Sequence, residues 1–160
     1  RSAVAAAGEP GEICVRGEQV MRGYWNNPAE TAQVLDSEGW LRTGDVGILD
    51  AEGFLTIVDR IKDLIVISGF NVYPAEIEEH VLRHPDISEA CAIGCGDDLA
   101  PRIKLFVVSR NPALTTEAVI QHCRSGLANY KVPKDIEFRS TLPKSPLGKV
   151  LRRELRRQEV

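Results

Sequence analysis

Three small groups of residues in this 160-residue chain are of types that could do chemistry. The first ends Trp40-Leu-Arg-Thr-Gly-Asp45. A carboxylate at the entrance of a strand can accept two hydrogen bonds from a diol, such as the 2′ and 3′ hydroxyls of a ribose. The commoner fate of Gly-Asp is to cap a turn. The second group is Asp59, Arg60 and Lys62, three charges at a joint between elements where no core needs them. The third is Lys149, delivered by the Pro- and Gly-rich loop Pro143-Lys-Ser-Pro-Leu-Gly-Lys149 to the start of a helix. A lysine held in this way is a compact point charge for an anionic centre, as phosphoryl chemistry requires. Taken alone it also reads as a solvated lysine in a basic tail.

The elements that must carry these groups follow from hydrophobic period and punctuation. Residues 11–17 alternate as a short strand. Asn27-Pro28-Ala29-Glu30 opens a helix to about Leu35, with Asn as cap, Pro in the first turn and Glu three residues on. Residues 46–49 and 54–58 are strands joined by Asp50-Ala-Glu-Gly53, with Asp first and Gly fourth as a type I turn prefers. The next strand is 64–67, so the backbone between is expected to belong to neither sheet and to be free to rotate. A turn at Ser68-Gly69-Phe70 leads into a helix from Pro74 to about Arg83, with Ile77 and Val81 on one face. Residues 87–93 and 103–108 read as buried strands. Residues 116–130 read as a helix with Val119, Ile120, Cys123 and Leu127 on one side, 136–138 as a short strand, and 150–157 as a final basic helix. The expected fold is α+β: a small mixed β-sheet packed with about three helices, preceded by a strand-rich piece. The division falls between residues 1–60 and 61–160.

A hydrophobic content of 43% with 27% charge is that of a soluble globular protein. The longest purely aliphatic run, 64–67, is far short of the ~20 residues that span a bilayer. The start, Arg-Ser-Ala-Val-Ala-Ala-Ala-Gly, lacks the apolar core of a signal peptide, and its lack of an initiator Met suggests a fragment. Cys14, Cys91, Cys95 and Cys123 form neither a CxxC nor a Cys/His cluster, so buried free thiols in a reducing compartment are expected and no metal site. The net charge of −3 hides an asymmetry: residues 131–160 hold nine Lys/Arg against four Asp/Glu. That basic end is either a solvated face that suits the helix dipole or a contact for a phosphate-bearing partner. Only Tyr130 and Phe138 interleave with it, which argues against nucleic acid.

Taken together and in order, the motifs become specific. Thr43-Gly44-Asp45, Asp59-Arg60-Ile61-Lys62, Ser68-Gly69-Phe70-Asn71-Val72-Tyr73-Pro74, Tyr130-Lys131-Val132-Pro133 and Leu142-Pro143-Lys144 with Gly148-Lys149 and Arg152-Arg153-Glu154-Leu155 follow one another along the chain. This series resembles the C-terminal portion of adenylate-forming enzymes, most of all the bacterial long-chain fatty-acid–CoA ligases. The resemblance implies that residues 1–60 end a large N-terminal domain and that 61–160 form a mobile C-terminal domain. It implies activation of a carboxylate by ATP to an acyl-adenylate and transfer to CoA, with Mg²⁺ accompanying ATP and bound mainly by an upstream domain. Asp45 and Arg60 would hold the ribose, Lys149 would bridge the substrate carboxylate and α-phosphate, and Lys62 would be the hinge. Ser68, Gly69 and Phe70 would line the pantetheine channel. The partners implied are fatty acid, ATP and CoA, without nucleic acid or a transmembrane segment. A cytoplasmic setting is implied, with room for peripheral association of the full-length enzyme at the inner membrane face. The fragment alone is expected to be inactive. An aryl or shorter-acyl ligase, and a non-catalytic basic-tailed binding module, are the alternatives. Departures from the pattern are Leu49, Ala51, Ile61 and the turn Asp97-Asp-Leu-Ala-Pro-Arg102, which lacks the usual Gly-Glu.

Overall fold

The computed structural model describes residues 4–96 and 100–159. Three residues of the Asp97-to-Arg102 turn, and the first three of the N-terminal stretch, lie outside the described residues. The chain divides into two compact units, Arg1–Lys62 and Asp63–Val160.

The first unit holds a three-stranded antiparallel sheet in the order β1 (Pro10–Val15), β2 (Leu41–Leu49), β3 (Leu55–Arg60). Between β1 and β2 lies α1 (Pro28–Val34), whose cap Asn27 accepts from the Glu30 amide at 3.2 Å while its Nδ2 donates to the Glu30 carboxylate at 2.8 Å. The Asp50–Gly53 turn closes as expected: the Gly53 amide donates to the Asp50 carbonyl, and Asp50 Oδ1 accepts the amides of Glu52 and Phe54. One expectation fails here. Strand β3 does not stop at residue 58, because its ladder with β2 continues past a register shift and sets Asp59 opposite Val46 and Arg60 opposite Asp45. Asp59 is buried, not a solvated joint residue. A 3₁₀ turn, Ile61–Asp63, follows at once. The stretch held by no sheet therefore shortens to residues 61–64.

The second unit begins with a hairpin of β4 (Ile65–Ile67) and β5 (Phe70–Val72). Its two-residue loop, Ser68-Gly69, has φ of 50° and 82°. Positive φ at both loop positions is the type I′ geometry whose twist matches paired strands. Helix α2 (Pro74–Leu82) follows and presents Ile77 and Val81 to the core. Strands β6 (Ile87–Cys95), β7 (Arg102–Ser109) and β8 (Asp135–Phe138) form a sheet in that order, β6 antiparallel and β8 parallel to β7. The sheet is thus mixed, and α2, α3 (Thr116–Arg124) and α4 (Arg152–Arg157) complete the α+β unit.

Helix α3 is shorter than its apolar period suggests. It stops at Arg124, and Leu127 is buried from the irregular segment beyond. A Cβ at Gly126 would collide with the His80 ring, so the chain passes close to α2 there. His80 and His122 stack with centroids 4.7 Å apart, and each Nε2 lies 2.9 Å from the other's backbone carbonyl. The core runs between one sheet face and α2 and α3, with Leu105, Val107, Val119 and Cys123 fully enclosed. A second cluster on Phe106 takes in Cys91, Ile93, Leu142 and Leu155.

Candidate functional site

Asp45 and Arg60 meet because the β2–β3 register sets them directly opposite, where cross-strand side chains lie closest. Arg60 Nε donates to Asp45 Oδ1 at 2.9 Å, and Asp45 is half-buried. The Asp45 amide is taken by Thr43 Oγ1, which itself donates to the Ile13 carbonyl and so fixes the approach to the carboxylate. Asp45 Oδ2 has no partner among the described residues. One oxygen held and one open is an arrangement that can accept from a diol.

Lys149 does not sit at a helix start. It closes a tight hairpin in which Ser145 N–H donates to the Lys149 carbonyl at 2.8 Å and Gly148 N–H donates to Ser145 O at 2.9 Å. Ser145-Pro146-Leu147-Gly148 is a type I turn sequence, and Gly148 at φ 81° supplies the left-handed residue that ends a three-residue hairpin loop. Lys149 N–H also donates to Ser145 Oγ at 3.2 Å. The backbone is thereby pinned on both sides, and the exposed ammonium pairs with no carboxylate among the described residues.

Much of the basic C-terminal charge is used internally. Lys131 pairs with Glu76, Arg139 with Glu137, Lys144 with Glu89, Arg152 with Glu78 and Arg156 with Asp63, at 2.6–3.0 Å. Lys134, Lys149, Arg153 and Arg157 make no such pair among the described residues.

Ser68 and Gly69 form the β4–β5 loop, and Phe70 is exposed beside it, stacked on Tyr130 at 4.7 Å. An open cleft of about 840 Å³ begins at this loop and is lined by Ser68, Gly69, Gly94, Cys95, Pro101 and Lys134. Lys62, exposed in the 3₁₀ turn, is the remaining residue singled out from sequence. The structure thus joins Asp45 to Arg60 in the first unit, and groups Ser68, Gly69 and Phe70 at one hairpin and Lys149 at another in the second.

The thiols were legible only in part. Cys91 and Cys123 are buried, and desolvation pushes them to about 12 and about 11, the first helped by the charge of Glu78. Cys14 is exposed, contrary to expectation, on the outer sheet strand. Asp63 lies outside the groups singled out from sequence, where it counts only as a charge that keeps the joint around Lys62 wet. Its only signal was a charge directly before an aliphatic strand, yet it is buried and ion-paired.

Residues 76–149 match the family described as AMP-binding enzyme C-terminal domain. Over that stretch the chain is similar to the AMP-binding enzyme C-terminal domain. It is 54% identical over 150 residues to a long-chain-fatty-acid–CoA ligase of Escherichia coli O157:H7, covering 93% of this chain and 27% of that protein. It is 50% identical to the ligase of the same name from Bacillus subtilis (strain 168), covering 98% of this chain and 28% of the relative. Among solved structures, ATP-bound MatB from Rhodopseudomonas palustris matches with a TM-score of 0.90 at 33% identity, covering 96% of this chain and 31% of that one. The chain spans little more than a quarter of the length of the curated relatives it matches. Among the described residues, no helix is long and apolar enough to cross a membrane.

Proposed function

We propose that this chain is the C-terminal part of a long-chain fatty-acid–CoA ligase. In the first half-reaction a fatty-acid carboxylate oxygen attacks the α-phosphorus of ATP, pyrophosphate leaves, and an acyl-adenylate forms. In the second, the CoA thiol attacks the acyl carbonyl and AMP leaves. Negative charge gathers between carboxylate and α-phosphate in the first step, and the ammonium of Lys149 is the group that offsets it. Asp45 accepts from the ribose hydroxyls while Arg60 holds its other oxygen. Ser68, Gly69 and Phe70 lead the pantetheine arm toward the acyl group. Lys62 lies in the turn about which the second unit swings between the two steps.

On this reading the first unit is the end of a larger N-terminal domain. Its thin core supports that: Val46 is its one buried apolar side chain among the described residues, while Leu49, Phe54, Leu55 and Ile57 are at least half exposed. Mg²⁺ would accompany the ATP phosphates. No group of three His, Cys, Asp or Glu among the described residues could hold it. A cytoplasmic enzyme that meets its acid at the inner membrane face belongs to the same proposal.

The observation that supports this reading best is the 54% identity to a ligase named for long-chain fatty acids. The test is the full-length protein given short, medium and long-chain acids and an aryl acid, each with ATP and CoA. AMP release should rise with chain length and be poor on the aryl acid. Higher turnover on the aryl or short acids would overturn the chain-length assignment.

A further inference from the structure

Asp63 is a buried carboxylate, only 6% exposed, in the last position of the 3₁₀ turn. Its Oδ1 lies 3.0 Å from Arg156 Nη2 and its Oδ2 lies 3.9 Å from Arg152 Nη1. Arg152 reaches onward, donating through Nη2 to Glu78 Oε2 at 2.6 Å. Glu78, on α2, uses Oε1 to accept the backbone N–H of Ala92 on β6 at 2.8 Å. Two carboxylates and two guanidinium groups therefore tie four elements together: the 3₁₀ turn, α2, β6 and α4.

Both arginines belong to α4, the helix that follows the lysine hairpin. That helix has six residues and no side-chain cap, too little to hold its own place. Leu155 anchors it by burial, but one aliphatic side chain leaves rotation about the helix axis loosely set. The two guanidinium forks remove that freedom, because each demands a direction as well as a distance. Only Val150 and Leu151 separate Lys149 from Arg152, and Leu151 N–H is fixed to the Pro143 carbonyl at 2.8 Å. Stability alone does not call for this choice, since well-packed apolar residues often replace buried ion pairs without loss.

We propose that Asp63, Glu78, Arg152 and Arg156 are positioning residues that set the reach of Lys149 and tie its hairpin to the turn at Lys62. A backbone change in that turn is then carried to the lysine through Asp63 and α4. This rests on the reading of Lys149 as the lysine of acyl-adenylate formation.

The test uses full-length Asp63→Asn and Glu78→Gln enzymes, which keep shape and remove charge, beside Lys149→Ala. Acyl-adenylate formation in a single turnover should fall about tenfold to a hundredfold, the cost of a misplacement on the order of 1 Å. The KM for ATP should stay unchanged, and thioester formation from supplied acyl-adenylate should hold within about twofold. Should either variant fail to fold, Arg156→Lys replaces it; it keeps the charge, loses the fork, and should show the same selective loss in milder form. Equal losses in both half-reactions, or a lowered melting temperature with adenylation intact, would make the network structural and overturn the proposal. If Lys149→Ala cripples adenylation while these variants do not, the proposal alone fails. If Lys149→Ala itself spares adenylation, the functional reading falls and takes the proposal with it.

Discussion

The two oxygens of Asp45 stand in different circumstances: Arg60 holds Oδ1, and Oδ2 has no partner among the described residues. An acceptor of this kind contributes about 1.5–3 kcal/mol to a hydrogen bond from a neutral hydroxyl. In the full-length enzyme Asp45→Ala should therefore raise the KM for ATP roughly tenfold or more. Steady-state kinetics on ATP checks it, and an unchanged KM together with an unchanged kcat would remove Asp45 from the site. The residue types at Asp45, Arg60 and Lys149 were readable because a carboxylate, a guanidinium and an ammonium outside any apolar pattern stand out. Their partners were not. Arg60 faces Asp45 through strand register, which depends on a shift between Val46 and Gly47 that no local pattern announces. Asp63 was hidden for a similar reason: its arginines lie about ninety residues away in sequence and come near only when α4 docks.

Elements with strong local chemistry could be read from sequence, and those fixed by tertiary context could not. The Asn27 cap, the Asp50–Gly53 turn and the buried strands β6 and β7 each carry their own signal. Strand β5 has three residues and follows a Ser-Gly loop, too short for any period to register. The apolar period runs past the end of helix α3 because Leu127 keeps the helical spacing after the helix has ended. The joint shows the same limit, since pairing with β2 carries β3 two residues further, to Arg60. What remains outside any sheet is the turn at Ile61–Asp63 and Leu64. Lys62→Pro would fix φ near −65°, remove the amide donor and push Ile61 toward extended backbone. The expected outcome is thioester formation impaired far more than adenylation, read in separate single-turnover assays on the full-length enzyme. Equal losses would make Lys62 a folding residue and send the search for a hinge elsewhere.

At the scale of the whole molecule, the second unit has a closed core while the first leaves much of its apolar surface exposed. The sequence reads as a strand-rich piece followed by an alternating α+β part, and the second part is a mixed sheet with three helices; the difference in apolar exposure is visible only in the structure. In the proposed chemistry one cation acts in one of two steps. The direct measurement is acyl-adenylate formation and thioester formation, each in a single turnover, in the full-length Lys149→Ala enzyme. Loss of one preorganised charge at a transition state costs about 3–4 kcal/mol, so adenylation should fall about 10²–10³-fold while thioester formation from supplied acyl-adenylate is spared. An equal fall in both steps would contradict the account and leave Lys149 a structural residue of its hairpin.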